Sequence, residues 1–487
     1  MTTVEPPTTR TNLPLAAHAV GKRSAVTCQF KCANACLGPE CNGSDNPTFR
    51  SIAELALSRR MLIGAAAAGA VVVATDAFGV LTPQAASAAT TGGAVESHWG
   101  WNHHSLPFQP IAPVPASVDA LTVPKGYTWS PIIRWGDPLF SDAPTFSLEA
   151  QSRAAQERQF GYNSDYLDIL ADRSGKTGVL VNNHEYVNPN IMFPPSTDAA
   201  ELRRRGEVYK AAQGMSVVEI KRRRRGAPWR YVVDGRRNRR ITVETVFELT
   251  GPAAGSDLVK TAADPEGRWV KGTLGNCAGG TTPWGTILSG EENFNGYFAW
   301  AADTAGQKRY QASASRTTST GWEAYDPRFN SFDPGYVNEP NRFGYIVEID
   351  PEDPTSTPKK HTAMGRFKHE GANVIVAEDR RVVAYMGDDE RNDYLYKFVS
   401  KNRISSSRKK NMTLLSEGDL YVARFRGDSP ASQIDGSGKL PADGAFDGSG
   451  EWIALTRHGR SVVPGMTTEE VLVYTRLAAD KMGATKM

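Results

Sequence analysis

The chain has 487 residues, 40% hydrophobic and 22% charged, with 45 glycines and 30 prolines. Average charge with this much apolar content excludes a disordered chain and allows a large core. A formal net charge of +3 is too small to call for a polyanionic partner, so nucleic acid is not expected to bind.

Residues 1–57 read as a leader holding Cys28, Cys32, Cys36 and Cys41. These thiols precede an export signal and belong to a reducing compartment, which makes them poor candidates for disulfides. Their spacing could hold zinc or an iron–sulfur cluster, but it matches no standard ligand pattern. Ser58-Arg59-Arg60-Met61-Leu62-Ile63 opens a twin-arginine signal, residues 58–88, with an alanine-rich apolar core over 61–74. Such a core is too short to span a bilayer, which takes about 20 residues. Ala86-Ser87-Ala88 supplies an Ala-x-Ala cleavage site, so the mature domain is expected to be 89–487. The twin-arginine machinery is then a partner, the membrane is involved only during export, and the destination is periplasmic, cell-surface or extracellular. In the mature domain Cys277 is the only cysteine.

From there the pattern is one of short β-rich runs at 132–135, 178–182, 216–220, 230–233, 241–249, 284–288, 345–349, 374–377, 382–386, 394–399, 420–425 and 452–455, separated by turn residues. Only two helices stand out, at 147–159 and from Thr467, where Glu470 completes a capping box and Val471, Tyr474, Leu477 and Met482 make one apolar side. Many strands and few helices predict an all-β sandwich, barrel or propeller. The basic runs Lys221 to Arg225 and Arg236 to Arg240 are expected to decorate hairpin turns.

Polar clusters sit where these strands end. Asn182-Asn183-His184-Glu185 offers amide, imidazole and carboxylate groups suited to hard or borderline cations. In the glycine-rich run from Asn276, Cys277 offers a thiolate ahead of Glu291-Glu292-Asn293, a set that suits iron better than calcium alone. His369-Glu370 and Asp388-Asp389-Glu390 follow, and three adjacent carboxylates repel one another unless exposed or neutralised by cations, for which calcium is apt.

Arg134-Trp135-Gly136-Asp137-Pro138, Phe160-Gly161-Tyr162-Asn163, Asn183-His184-Glu185-Tyr186, the Asn276 to Asn293 run, His369-Glu370 and Tyr385-Met386-Gly387-Asp388-Asp389, in this order, resemble the PhoX family of secreted alkaline phosphatases. The resemblance implies a six-bladed β-propeller with ferric iron and calcium at one end. It implies hydrolysis of phosphate monoesters by a metal-held oxo or hydroxide, with Cys277 as an iron ligand. The expected metal residues are Glu185, Cys277, Glu291, Glu292, Glu370, Asp388 and Asp389, and Asn183 and Arg391 are the expected phosphate contacts. Relatives continue past the last helix with an Asp-Arg-Pro-Glu motif, whereas this sequence stops at Met487, so an incomplete propeller with weak activity of this chain alone is expected. A calcium-binding propeller without catalysis and a calcium-dependent lactonase are the alternatives, neither of which needs the thiol.

Overall fold

The computed structural model describes Lys31 and residues 40–49, 51–52, 109, 111–115, 118, 120–427 and 448–487. The twin-arginine signal at 58–88, Cys28, Cys32 and Cys36 lie outside the described residues. Met1–Ala56 with Pro131–Met487 form one compact unit and Leu57–Ser130 another.

The first unit carries the sheets, and its architecture is all-β and propeller-like. The first sheet is built from β1 (Ser164–Ala171), β2 (Thr177–His184), β3 (Gly214–Lys221), β4 (Arg230–Tyr231) and β5 (Arg239–Ile241), with both β4 and β5 pairing antiparallel to β3. The second contains β6 (Val246–Thr250), β7 (Trp269–Lys271), β8 (Asn276–Thr281), β9 (Ile287–Glu291), β10 (Ile346–Ile349) and β11 (Lys359–His361), in the order β7-β6-β11-β10-β9-β8. The third is an antiparallel meander of β12 (Asn373–Val376), β13 (Arg381–Gly387), β14 (Leu395–Arg403), β15 (Gly418–Gly427) and β16 (Gly448–Ala454). A two-stranded ribbon, β17 (Thr456–Arg457) with β18 (Arg460–Ser461), completes the set. Among the described residues these are four sheets rather than six separate blades. One reason is that β11 pairs parallel with β6 and fuses two antiparallel groups into one sheet.

Val179, Leu180 and Val181 of β2 are all buried, as are Ile346, Val347 and Ile349 of β10, so these strands are covered on both faces. That is why Val179-Leu180-Val181 reads as a continuous apolar run, whereas β10 is interrupted by Glu348, which is buried and held by Trp284, Thr286 and His361. Each such side chain contributes roughly 1.5–3 kcal/mol on burial. An aromatic group of Phe294, Phe298, Trp300, Tyr310 and Phe343 fills the core beside β9 and β10, and the Arg366 guanidinium lies 4.0 Å from the Tyr310 ring centre.

Several sequence expectations change here. Residues 132–135 form no strand, and the Trp135 ring instead packs edge-on against Phe146 and Tyr162. The run 241–249 is split by a turn in which Thr245 N donates to Thr242 O, ending β5 before β6 begins. The helix expected over 147–159 shrinks to Arg153–Gln156, because Ser152 caps its start through Oγ and Ser147 closes a separate turn upstream. At the C-terminus the Thr467–Glu470 capping box forms, but Tyr474 (φ −113°, ψ 47°) divides the helix in two. The basic turn at Arg236 to Arg240 is not wholly superficial: the Arg240 guanidinium points inward and donates to the carbonyls of Ala211, Gln213 and Met215 and to Ser216 Oγ.

The longest helix among the described residues, α1 (Ala199–Ala212), escapes sequence periodicity because charged residues occupy its inner face. Lys210 is buried and saved from isolation by Asp326 at 2.9 Å and Glu207 at 3.0 Å. Asp198 caps the helix, accepting from Glu201 N at 2.7 Å. No helix among the described residues is long and apolar enough to cross a membrane.

Candidate metal centre

The start of β1, the end of β2, the start of β8 and the loops after β9 and β13 deliver acidic side chains and one thiol to a common point. Two β-bulges aim the key groups. The β1–β2 register slips between Ser164 and Leu167, placing Asp165 in the irregular stretch, and the β8–β9 register slips between Asn276 and Gly279, placing Cys277 in another. Bulges of this kind re-aim side chains that would otherwise follow the sheet's alternation.

Cys277 Sγ is 3.3 Å from Asp165 Oδ2 and 3.5 Å from Glu370 Oε2. Ligand atoms of Asp165, Glu185 and Cys277 all lie within 4.8 Å of one another, and so do those of Cys277, Glu292 and Glu370. The thiol therefore belongs to two trios. Asp389 joins by side-chain contact with Glu292 and Glu370, and Asp165 contacts Glu185. Glycine makes the packing feasible: at Gly290 an added Cβ would sit 2.3 Å from the His369 carbonyl oxygen, so only glycine lets this loop approach β9.

Burial and neighbouring carboxylates act together on these groups. Glu185 is raised above the ordinary carboxylate range by burial first and by Glu292 next. Glu292 and Glu370 move in the same direction, in each case by burial and then by the contact with Asp389. Burial, Glu292 and Glu185 push the Cys277 thiol far up. Lys31, from the leader, enters this acidic ring: its ammonium is 3.1 Å from Glu185 Oε1, 3.5 Å from Glu292 Oε2 and 3.9 Å from Cys277 Sγ.

Among the described residues, Asn183 Oδ1 is a buried acceptor that makes no hydrogen bond, and Glu292 Oε2, also without one, faces the Lys31 ammonium at 3.5 Å. Orphan acceptors in a buried acidic cluster are costly unless a cation completes them. The residues present therefore fit metal ions: a thiol and carboxylates suit a transition metal, and carboxylate and amide oxygens suit a hard cation.

Not every expected residue arrives at this point. Glu291 turns away from Glu292, into a buried pair with Lys360 (2.7 Å), and accepts from Gly344 N and Tyr345 N. Asp388 is held by Arg476, with Oδ2 2.7 Å from Nε and Oδ1 2.5 Å from Nη2. Neither shares in the two trios. His184 is spoken for as well. Its Nδ1 faces the Tyr162 carbonyl, which can only accept, so Nδ1 carries the proton and Nε2 accepts from Ser216 Oγ at 2.7 Å. Arg391 lies in the turn after Asp389, with its backbone N–H donating to Glu390 Oε1. Asn183 donates through Nδ2 to the Cys277 carbonyl.

Two participants were missed by sequence reasoning. Asp165 stands two residues beyond the Phe160 to Asn163 motif, and a carboxylate opening a strand beside that motif was the available signal. Lys31 had none, since nothing local ties a leader lysine to a carboxylate at position 185.

The family model for alkaline phosphatase PhoX matches residues 106–487. Among solved structures, Pseudomonas fluorescens PhoX in complex with vanadate, a transition state analogue, is similar, with 40% sequence identity and a TM-score of 0.67 over 75% of this chain. This chain spans 62% of that structure's chain. Comparison with the curated proteins gave no match. A bulge-mounted cysteine among buried carboxylates, and a family match over most of the sequence, lead to one assignment: the chain belongs to the PhoX alkaline phosphatase family.

Proposed function

We propose that the protein is an exported hydrolase of phosphate monoesters whose acid–thiol cluster holds ferric iron and calcium. The observation that carries this reading is the sharing of Cys277 by two trios of candidate ligands, Asp165 and Glu185 on one side and Glu292 and Glu370 on the other, which would hold metal ions through the thiol and these carboxylates. A thiolate contributes strongly to iron and little to calcium, which supports iron in the centre and weighs against a purely calcium-binding module. The similar solved structure was captured with vanadate, a transition state analogue, and this supports phosphoryl chemistry for the chain.

In this reading Asp165, Glu185, Cys277, Glu292, Glu370 and Asp389 hold the metals. When bound, the cations would polarise phosphoryl oxygens and neutralise developing charge. Asn183 orients the Cys277 bulge through its bond to the Cys277 carbonyl and offers its amide to a phosphate oxygen. Arg391, on the turn beside Asp389, supplies a guanidinium to the phosphate. Glu291 and Asp388 are scaffold residues, fixing through Lys360 and Arg476 the loops that carry Glu292 and Asp389.

The test is elemental analysis of the purified protein together with hydrolysis of p-nitrophenyl phosphate at alkaline pH. Iron and calcium with chelator-sensitive turnover are expected. Calcium without iron and without turnover would overturn the reading in favour of a calcium-binding propeller.

A further inference from the structure

The described residues of the leader, Lys31, 40–49 and 51–52, pack close to the acidic centre. Asn42 is buried and donates through Nδ2 to the Asn392 carbonyl at 2.6 Å, three residues from Asp389. Asn46 donates to Tyr394 Oη and to the Asp480 carbonyl, each at 3.1 Å. Thr48 and Lys486 form a parallel bridge, with Phe49 N donating to Lys486 O at 2.7 Å and Lys486 N to Pro47 O at 3.0 Å. The Phe49 ring meets Phe425 edge-on, with centroids 5.7 Å apart. Upstream of these anchors, Lys31 sets its ammonium among Glu185, Glu292 and Cys277.

A compact ammonium inside a ring of anionic ligands stands where a cation would stand. Calcium takes oxygen ligands at about 2.3–2.6 Å, so an ion bound by Glu185 and Glu292 would lie within contact distance of the Lys31 nitrogen. Two positive charges cannot share that volume, since like charges in a low-dielectric site repel strongly. We infer that the leader is a cap acting in cis, in which Lys31 holds the ligand cluster in place of metal ions, so that leader docking and metal loading exclude one another. The inference rests on the cluster being a metal site. Being tethered, the lysine competes at a high effective concentration and raises the apparent Kd for metal by the inverse of the uncapped fraction. Loss of the leader, or enough metal, opens the centre.

The experiment uses the full chain, stripped with chelator and titrated with calcium alone by calorimetry, for wild type, Lys31→Gln, Lys31→Arg and the anchor variant Asn42→Ala. Hydrogen exchange at the Phe49 and Ile52 amides is followed alongside. Expected are calcium binding at least about tenfold tighter in Lys31→Gln and Asn42→Ala than in wild type, near wild-type binding in Lys31→Arg, and faster wild-type exchange at Phe49 on adding calcium. Equal affinities in all four with unchanged Phe49 exchange would overturn the cap, as would no calcium binding by any of them. A calcium- and iron-loaded Lys31→Gln chain that hydrolyses no p-nitrophenyl phosphate would instead sink the hydrolase reading and leave the cap standing.

Discussion

Cys277 Sγ and Asp165 Oδ2 lie 3.3 Å apart, each presented by a β-bulge on a different sheet. Two strands from separate sheets thus meet through one thiol and one carboxylate. Removing either should release the metal both would hold. Cys277→Ser and Asp165→Asn are each expected to lower iron content at least tenfold, with Cys277→Ser retaining more calcium than iron. The double variant should lose little beyond the worse single one, since groups sharing one ion do not act additively. Elemental analysis of folded protein checks this, and strictly additive losses would separate the two residues.

Glu291 and Glu292 are neighbours in sequence with opposite duties. Glu291→Gln leaves the Lys360 ammonium buried without its charge partner, a loss of about 3–5 kcal/mol. Metal content per folded molecule should barely change. Glu292→Gln removes a carboxylate already disfavoured by burial, so metal-free stability should hold or rise while metal affinity falls. Urea unfolding paired with metal analysis distinguishes the two, and the opposite pattern would exchange their roles.

Most strands were legible in the sequence because covered strands carry clustered apolar residues, unbroken over Val179 to Val181 in β2 and interrupted only by Glu348 in β10. The carboxylate of Glu185 and the thiol of Cys277 were equally visible, since polar groups ending apolar strands stand out. What sequence could not decide was side-chain direction. Whether Glu291 or Glu292 enters the centre depends on which face of a strand end each occupies, and β9 places Glu291 against Lys360 on a neighbouring element. Asp388 and Asp389 divide in the same way, because Arg476 arrives from a helix 88 residues away to claim one of them. Helix α1 was hidden by Arg205 and Lys210, whose buried stems break the apolar period without breaking the helix.

The side chains of Arg476 and Asp388 are both fully buried and joined by two short hydrogen bonds, with an Asp393 carboxylate oxygen 3.7 Å from Arg476 Nε. Truncating the arginine would strand the Asp388 carboxylate in a site closed to water, while Asp393 keeps the Arg309 guanidinium at 2.6 Å. Arg476→Ala is expected to cost about 3–5 kcal/mol, and Arg476→Lys, which keeps charge but loses the forked geometry, somewhat less. Asp388→Asn should also destabilise, because Arg476 then loses its close buried counter-charge and one of its two acceptors at position 388, leaving Asp393 at 3.7 Å as its ion-pair partner among the described residues. Denaturant midpoints measure this directly. A midpoint unchanged by Arg476→Ala would mean the pair is not carrying the loop that bears Asp389.

Two of the histidines contribute acid sensitivity of one sign. His184 is kept neutral by burial and by the nearby Arg240, well below the ordinary imidazole value. His369 is buried, stacked on Phe367 at 3.7 Å, and brought down to about 3 by burial. A base whose folded value is depressed binds fewer protons in the folded than in the unfolded state at mildly acidic pH. Stability from such a group is therefore fully present above the unfolded value of 6.5 and is lost as pH falls toward 3. At pH 4 the loss from His369 alone is on the order of 3 kcal/mol. Because the raised carboxylates of Glu185 and Glu292 act in the opposite sense over this range, the readout is a difference: the urea midpoint of the metal-free wild type relative to that of His369→Gln should fall steadily from pH 6.5 to pH 4. A wild-type-minus-variant difference that stays level over this range would show that the His369 imidazole accepts a proton in the folded protein, contrary to its burial.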